Sequence, residues 1–454
     1  MEIKEIIELN IEKLTYGGEG IGRIDGMTVF VPDTVAGDHI KAEIISVKKN
    51  LVKAVIKEII TPSENRVKPF CPLTNACGGC QWQHINYDEQ LRAKKQIIEE
   101  CMQKIAGINV PVKDVLRSDE NKEYRCKIQY PVQQTKISKR FLAGYYRKNT
   151  HDIVNIKYCP IQPRIIDKIA EFLRKKALEL NLTAYNEKNR KGLIRHFVFR
   201  YSQTNKNLLL TIVINDKESN DIIEDLCFSV KNEFPAINGV LLNFNTNRSN
   251  IILGNKTELI DGKDYIEEIL DGKTFKISAE SFFQVNPLTA LKMFSEVRKI
   301  VEEKSSQEKP SILDVYAGSG SFSMFLSDLA SNITAVEESE SSVKDGLENL
   351  ELNKIQNISF LKGNADEALT ELTTNEEKFD FVILDPPRKG CSESVIESVK
   401  KLAAKHIIYI SCNPSTLARD VKLLSEDFIP EFIQPVDMFC QTYHVESILV
   451  LTKK

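Results

Sequence analysis

The 454-residue chain predicts a multi-domain α/β protein in three parts. A small, OB-like β-barrel is expected over residues 1–60, a central α+β domain over 61–264, and a Rossmann-like, doubly wound domain over 265–454. Three observations carry this division. Glycines punctuate short β-branched runs at the start of the chain. Apolar strand patterns alternate with helical ones after about residue 265, which is the signature of a mainly parallel sheet. Charge is also partitioned: residues 61–210 carry 28 Lys and Arg against 14 Asp and Glu, whereas 211–454 carry 25 against 40.

That partition hides within a formal net charge of −3. A basic middle segment of this size suggests contact with a polyanion, because the excess is spread over several elements and not confined to one helix face. A hydrophobic content of 42% and a charged content of 28% describe an ordinary globular protein. The longest apolar runs, such as Leu208–Ile214, fall far short of the roughly 18 residues needed to cross a bilayer. The acidic, non-apolar N-terminus does not read as a signal peptide, so a cytoplasmic location is expected. Ten cysteines are too few for a disulfide scaffold at this length and are expected as thiols or ligands.

Taken in order, YGGEGIGRIDGMTVFVPDTVAGDHIKAEI alternates glycine turns with the strand-like runs TVFV and IKAEII. TPSENRVKPFCP reads as a linker. CPLTNACGGC follows, then the helical stretch NYDEQLRAKKQIIEECMQKI, whose residues near 88–106 could pack on the last domain. FLAGYY, GLIRHFVFRY, NLLLTIVI and GVLLNFN read as strands of the centre. SILDVY, ITAVE, ISFLKG, FDFVIL and HIIYIS read as strands of the doubly wound sheet, and SILVLT as an antiparallel edge strand.

The turn after SILDVY, in AGSGSFS, places Gly318 and Gly320 where a backbone must bend tightly beneath a ligand at a strand's carboxyl end. Such a turn is weak evidence alone, and Ser323 does not exclude a dinucleotide. Its neighbours decide. Glu337 ends the second strand, where an acid can hold ribose hydroxyls. Asn364, in GNADEA, can meet an adenine edge. Asp385 leaves the fourth strand into the Pro-Pro turn of LDPPRKG. An acid followed by Pro-Pro at that place is typical of S-adenosylmethionine-dependent methyltransferases acting on nucleic acid. Each acid alone would more often cap a helix.

Cys71, Cys77 and Cys80 lie within ten residues, and Cys159, in KYCPIQP, is a candidate fourth ligand. Four thiolates suit tetrahedral zinc or an iron–sulfur cluster, and spacing does not separate the two. Cys101, Cys126 and Cys227 read as buried thiols.

Together these motifs resemble the RNA uracil-C5 methyltransferases, and within them the iron–sulfur-containing 23S ribosomal-RNA branch with an N-terminal TRAM domain. The resemblance spans YGGEGIGR…VFVPDTVAGD, CPLTNACGGCQWQH, FFQVNP, DVYAGSGSFS, LDPPRKG, YISCNPSTLARD and DMFCQTYHVES. It implies that Gln284, Tyr316, Glu337, Asn364 and Asp385 contact S-adenosylmethionine, that Cys412 is the nucleophile and Glu446 the base, and that Cys71, Cys77, Cys80 and Cys159 hold a [4Fe–4S] cluster. One departure bears on the site: Cys440 stands where the family usually has proline, which makes it a possible rival thiol.

The chemistry explains the residue types. Carbon 5 of uracil is a poor nucleophile until a thiolate adds to carbon 6, and a carboxylate must later remove the carbon-5 proton. A readily ionised Cys412 is therefore expected, aided by the backbone amides of the following STLARD segment. Burial is expected to raise Glu446 toward the working pH. The ribosomal-RNA uridine must be single-stranded or flipped to be reached. Phe141, Tyr145 and Tyr146 are candidates for stacking on bases, or equally for the core. No obligate protein partner is evident. The alternatives are the same reaction on transfer RNA, an exocyclic-nitrogen methylation with Cys412 inert, and a non-catalytic iron–sulfur RNA-binding sensor.

Overall fold

The computed structural model describes residues 2–49, 51–306 and 308–454. The chain forms two compact units, one of Met1–Thr74, Cys80–Asp119 and Leu369–Lys454, the other of Asn75–Gly79 and Glu120–Ala368. Among the described residues no helix is long and apolar enough to cross a membrane.

The first unit begins with strands β1 (Ile6–Asn10), β2 (Lys13–Leu14), β3 (Gly20–Ile24), β4 (Met27–Val31), β5 (His39–Lys48) and β6 (Leu51–Thr61). They form a six-stranded sheet in the order β1-β5-β6-β4-β3-β2. Alternate residues point to one side, as the period of two demands, and Ile7, Leu9, Val29, Val31, Ile40, Ile44 and Val52 share one apolar cluster. The glycine-punctuated stretch thus yields the expected short strands, here as a sheet with two end strands. Helix α1 (Tyr87–Cys101) is capped by Asn86, which accepts the Asp88 N–H at 2.9 Å, and it continues into a π-helical turn, Met102–Ala106. Its inward face is unusual in carrying Gln90 and Lys94 beside Ala93, Ile97 and Ile98, all of them buried.

The second unit opens with β7 (Lys127–Gln134), β8 (Phe141–Ala143), α2 (Arg164–Glu179), β9 (Ile194–Tyr201), β10 (Leu208–Ile214), α3 (Asp221–Glu233), β11 (Ile237–Phe244) and β12 (Lys256–Gly262). The strands form one sheet in the order β12-β11-β10-β9-β7-β8. Every residue of β10, LLLTIVI, is buried, as befits an interior strand covered on both faces. A hairpin of β13 (Tyr265–Leu270) and β14 (Lys273–Ser278) follows, and then α4 (Pro287–Lys304), with Pro287 at its first turn. The strand–helix alternation proper comes after it: β15 (Ser311–Val315), α5 (Ser321–Leu326), β16 (Asn332–Glu337), α6 (Glu340–Leu352) and β17 (Ile358–Lys362). Both β15 and β17 pair parallel to β16.

After α7 (Ala365–Thr374) the chain completes the first unit with β18 (Phe379–Leu384), α8 (Glu393–Leu402), β19 (Ala403–Ser411), α9 (Pro414–Leu424), β20 (Phe428–Val436) and β21 (Glu446–Lys453). Strand β19 pairs parallel to β18 and antiparallel to β21, and β20 pairs antiparallel to β21. The last strand is therefore antiparallel as expected but interior, between β19 and β20, and not at an edge. Its first six residues, ESILVL, are all buried. A run this apolar needs cover on both faces, which an edge position does not provide. The outer side of β20 is itself lined by the 112–116 segment, through bridges Val112 to Ile433 and Leu116 to Val436.

Candidate active site

The placement of Cys412 and Glu446 follows from strand register. In the β19–β21 ladder Ser411 pairs with Ser447. That pair ends the ladder, leaving Cys412 and Glu446 as the next residues along the two chains, close enough for the Glu446 charge to act on the thiol. Cys412 sits between the end of β19 and α9, whose cap Asn413 accepts the Ser415 N–H at 3.1 Å. Glu446 is the first residue of β21 and is 7% exposed. Burial pushes its carboxyl up to about 7, with Arg388 opposing. That lies in the range of a working general base.

The thiol behaves differently from the expectation. Burial first, and then the Glu446 carboxylate, push Cys412 up to about 11, while Arg388 pulls it down and Asp385 adds to the rise. Burial, with two acids nearby, thus favours the protonated thiol. Arg388 is the charge that opposes both shifts. It belongs to the LDPPRKG turn after β18, and its carbonyl accepts the Asn413 Nδ2–H at 3.1 Å, which ties that turn to the start of α9. Its motif was visible in the sequence, yet the residue had no assigned role.

Cys440 is not a rival nucleophile. It is fully buried, its Sγ lies 3.6 Å from the Tyr87 hydroxyl, and burial with Asp437 nearby pushes it up to about 12. The segment between β20 and β21 is held instead by α1. Lys94, which is fully buried, pairs with Asp437 and donates to the Phe439 carbonyl at 3.2 Å. Tyr87 donates to the other Asp437 oxygen at 2.8 Å. Gln90 exchanges side-chain and backbone hydrogen bonds with Gln441 at 3.0 and 3.1 Å.

In the second unit, Tyr316 follows β15 with φ of +67°, a left-handed conformation that a bulky residue seldom adopts and that marks functional turns. Gly318, at φ +58°, donates its N–H to Glu337 Oε2 at 2.8 Å, and Glu337 Oε1 accepts the Ser339 N–H at 2.7 Å. The structure therefore gathers Tyr316, the glycine turn and Glu337. A Cβ added at Gly318 would meet only Phe282, at 3.9 Å, so open space lies beside this backbone for a ligand. Asp314, at the end of β15, is fully buried and braces the turn by accepting from the Ser323 hydroxyl at 2.6 Å. Gln284 lines a small hollow with Lys127, Arg200 and Glu268. Asn364 is exposed and caps α7, accepting the Asp366 N–H at 2.9 Å. Asp385 lies in the first unit, just after β18.

The four expected ligand cysteines are half-buried at Cys71 and Cys77 and buried at Cys80 and Cys159. Cys77 Sγ accepts the Gly79 N–H at 3.4 Å, and the Cys159 N–H donates to the Asp167 carboxylate at 3.2 Å. Among the described residues, however, no three His, Cys, Asp or Glu side chains draw together as a metal-holding group. In kind, the four thiols suit a thiolate-ligated group. Of the aromatic candidates, Phe141 is core, at 1% exposure, and Tyr145 packs edge-on against Tyr130 with ring centroids 5.1 Å apart. Tyr146 donates its hydroxyl to Glu187 at 3.3 Å.

Comparison with known proteins identifies the chain as an RNA methyltransferase. Residues 86–454 match the tRNA (Uracil-5-)-methyltransferase family, and residues 2–57 match the TRAM domain. The chain belongs to that family. A Clostridium tetani protein named as an RNA methyltransferase is 35% identical over 436 residues, covering 96% of this chain and 94% of that one. One from Caldanaerobacter subterraneus is 36% identical over 454 residues, covering 100% and 99%. Among solved structures, the Pyrococcus abyssi tRNA (uracil-54, C5)-methyltransferase in complex with S-adenosyl-L-homocysteine has a TM-score of 0.76 at 26% identity, covering 98% of this chain and 100% of that one.

Proposed function

We propose that this enzyme methylates carbon 5 of a uridine in 23S ribosomal RNA through a temporary bond between Cys412 Sγ and carbon 6 of the ring. The observation that supports the reading is a buried Glu446 whose charge acts on Cys412, the two residues lying just beyond the last pair of the β19–β21 ladder. S-adenosylmethionine, held by the Tyr316–Gly318 turn and Glu337 with Gln284, Asn364 and Asp385 as further contacts, supplies an electrophilic methyl group.

The steps follow from the residues. The Cys412 thiol gives its proton to solvent and adds as thiolate to carbon 6, and the carbon 5–carbon 6 electron pair moves into the ring as an enolate. Carbon 5 is then nucleophilic and displaces the methyl from the sulfonium sulfur, which keeps the bonding pair and leaves as the thioether of S-adenosylhomocysteine. It now bears both a methyl and a proton. Glu446, as carboxylate, removes that proton; the electron pair re-forms the ring double bond and expels the Cys412 thiolate. Arg388 stabilises the anionic forms of both side chains, which are otherwise pushed toward their neutral states.

The TRAM domain and the basic central segment support RNA as the substrate. Ribosomal RNA is proposed because the cysteine pattern resembles that branch, with Cys71, Cys77, Cys80 and Cys159 as ligands of a [4Fe–4S] cluster that takes no part in the reaction. Transfer RNA is the second reading, favoured by the likeness to the Pyrococcus abyssi enzyme along nearly its whole length. Purified enzyme given methyl-labelled S-adenosylmethionine with 23S ribosomal RNA and, separately, with transfer RNA distinguishes them. Label recovered as 5-methyluridine in the ribosomal RNA supports the proposal. Label confined to transfer RNA moves the assignment to the second reading, and label at an exocyclic nitrogen overturns both.

A further inference from the structure

We propose that the TRAM domain completes the catalytic centre, with Tyr16 acting as a positioning residue for the Cys412 nucleophile. The proposal rests on the reading of Cys412 above and goes beyond it by giving the domain a role besides RNA binding.

The loop between β2 and β3, TYGGE, is a closed turn. The Thr15 N–H and hydroxyl both donate to the Glu19 carbonyl at 2.9 Å, and the Gly18 N–H donates back to the Thr15 carbonyl at 3.0 Å. A turn locked in this way presents Tyr16 at a defined angle. The Tyr16 hydroxyl donates to the backbone carbonyl of Cys412 at 3.3 Å, across 396 residues of sequence. Its ring meets that of Tyr443 edge-on, at 5.6 Å and 86°. Such T-shaped pairs are favoured by the ring quadrupoles.

The same loop reaches the base side of the pair. The Gly18 carbonyl accepts the Trp82 indole N–H at 3.1 Å. Trp82 is fully buried, and the N–H groups of Gln81 and Trp82 donate to the Gln441 carbonyl at 3.1 and 2.9 Å. Gln441 itself has φ of +68°, so the chain turns sharply there on its way to Glu446. Gly18, at φ +88°, lies so close to Tyr443 that an added Cβ would come within 2.9 Å of its Cδ1. One loop of the TRAM domain therefore touches the peptide that carries the nucleophile and the segment that delivers the base. Burial, and next the Cys412 sulfur, push the Tyr16 phenol up to about 12, so it remains a donor throughout the working range.

A positioning residue should alter the attack step and leave RNA affinity alone. The test uses full-length enzyme and RNA carrying 5-fluorouridine at the target, which arrests the reaction at the covalent stage. Tyr16→Phe keeps the ring contact with Tyr443 and removes only the hydroxyl. Its single-turnover rate of adduct formation is expected to fall about fivefold, the consequence of losing one modest hydrogen bond, with RNA Kd unchanged within twofold. Tyr16→Leu, which also loses the ring contact, should slow adduct formation further, again at constant Kd. The assignment is overturned if Tyr16→Phe forms adduct at the wild-type rate, or if rate and RNA affinity fall together as for a plain RNA contact. Thermal unfolding of both variants separates misfolding from mispositioning, and a Tyr16→Phe enzyme with wild-type Tm and wild-type rate also refutes it. Should the wild-type enzyme itself form no adduct, the failure lies with Cys412 as nucleophile and not with Tyr16.

Discussion

Glu446→Gln should make the protein more stable while disabling it. The side chain is buried, and its carboxyl is raised from an ordinary 4.5 to about 7, with burial the main cause. A shift of that size corresponds to about 3 kcal/mol of differential stability between protonated and ionised folded forms. The folded state holds this proton more tightly than the unfolded chain does. Its contribution is therefore complete below about pH 4.5 and is lost as the pH rises through about 7. Glutamine is neutral at every pH and close in shape to the protonated acid. At pH 5 the variant and the wild type should differ by less than about 1 kcal/mol, whereas at pH 8 the variant should be more stable by about 3 kcal/mol. Urea unfolding at the two pH values reads the difference directly. In the methylation assay the variant should accumulate protein–RNA adduct with ordinary uridine, because the carbon-5 proton is no longer removed. A stability difference that is the same at both pH values, or a variant weaker than wild type at pH 8, would refute the account of Glu446 as a buried, strained base.

Three further outcomes are expected. Lys94→Met leaves Asp437 buried without its cation and should cost about 3–5 kcal/mol, read by urea unfolding; Lys94→Met combined with Asp437→Leu should recover most of that loss, since the uncompensated charge is gone. Gly318→Ala fills the open space beside the turn and should raise the KM for S-adenosylmethionine at least about tenfold, while the left-handed backbone costs stability of only about 1 kcal/mol. Anaerobically purified protein should contain about four iron and four sulfide per chain, and Cys77→Ser should lower both; stoichiometric zinc in their place would contradict the cluster.

Much of the architecture was legible because its signals are local. HIIYIS, FDFVIL and SILDVY are β-branched runs bounded by turns, and they become β19, β18 and β15. The glycines of YGGEGIGR mark a turn that the backbone confirms. Position within a sheet was less legible. ESILVL reads as a strand, but only its pairing with both β19 and β20 reveals that it is interior. Residue type pointed to Cys412 and Glu446, whereas their shared place just beyond the end of the β19–β21 ladder follows from strand pairing, which no motif states. Burial corrected two expectations: it raised the Cys412 thiol instead of lowering it, and it removed Cys440 from contention. Lys94 was invisible for a different reason. A lysine on a charged helix ordinarily lies in solvent, and only the distant Asp437 explains its burial. Tyr16 was likewise hidden, since its partner Cys412 lies at the other end of the chain.

The central claim is a transient carbon–sulfur bond, and trapping it is the most direct test. Enzyme, S-adenosylmethionine and RNA bearing 5-fluorouridine should yield a complex that survives denaturation, with a mass equal to protein plus methylated RNA and the cross-link mapping to Cys412. Absence of that complex, together with undiminished methylation of normal RNA by Cys412→Ala, would contradict it.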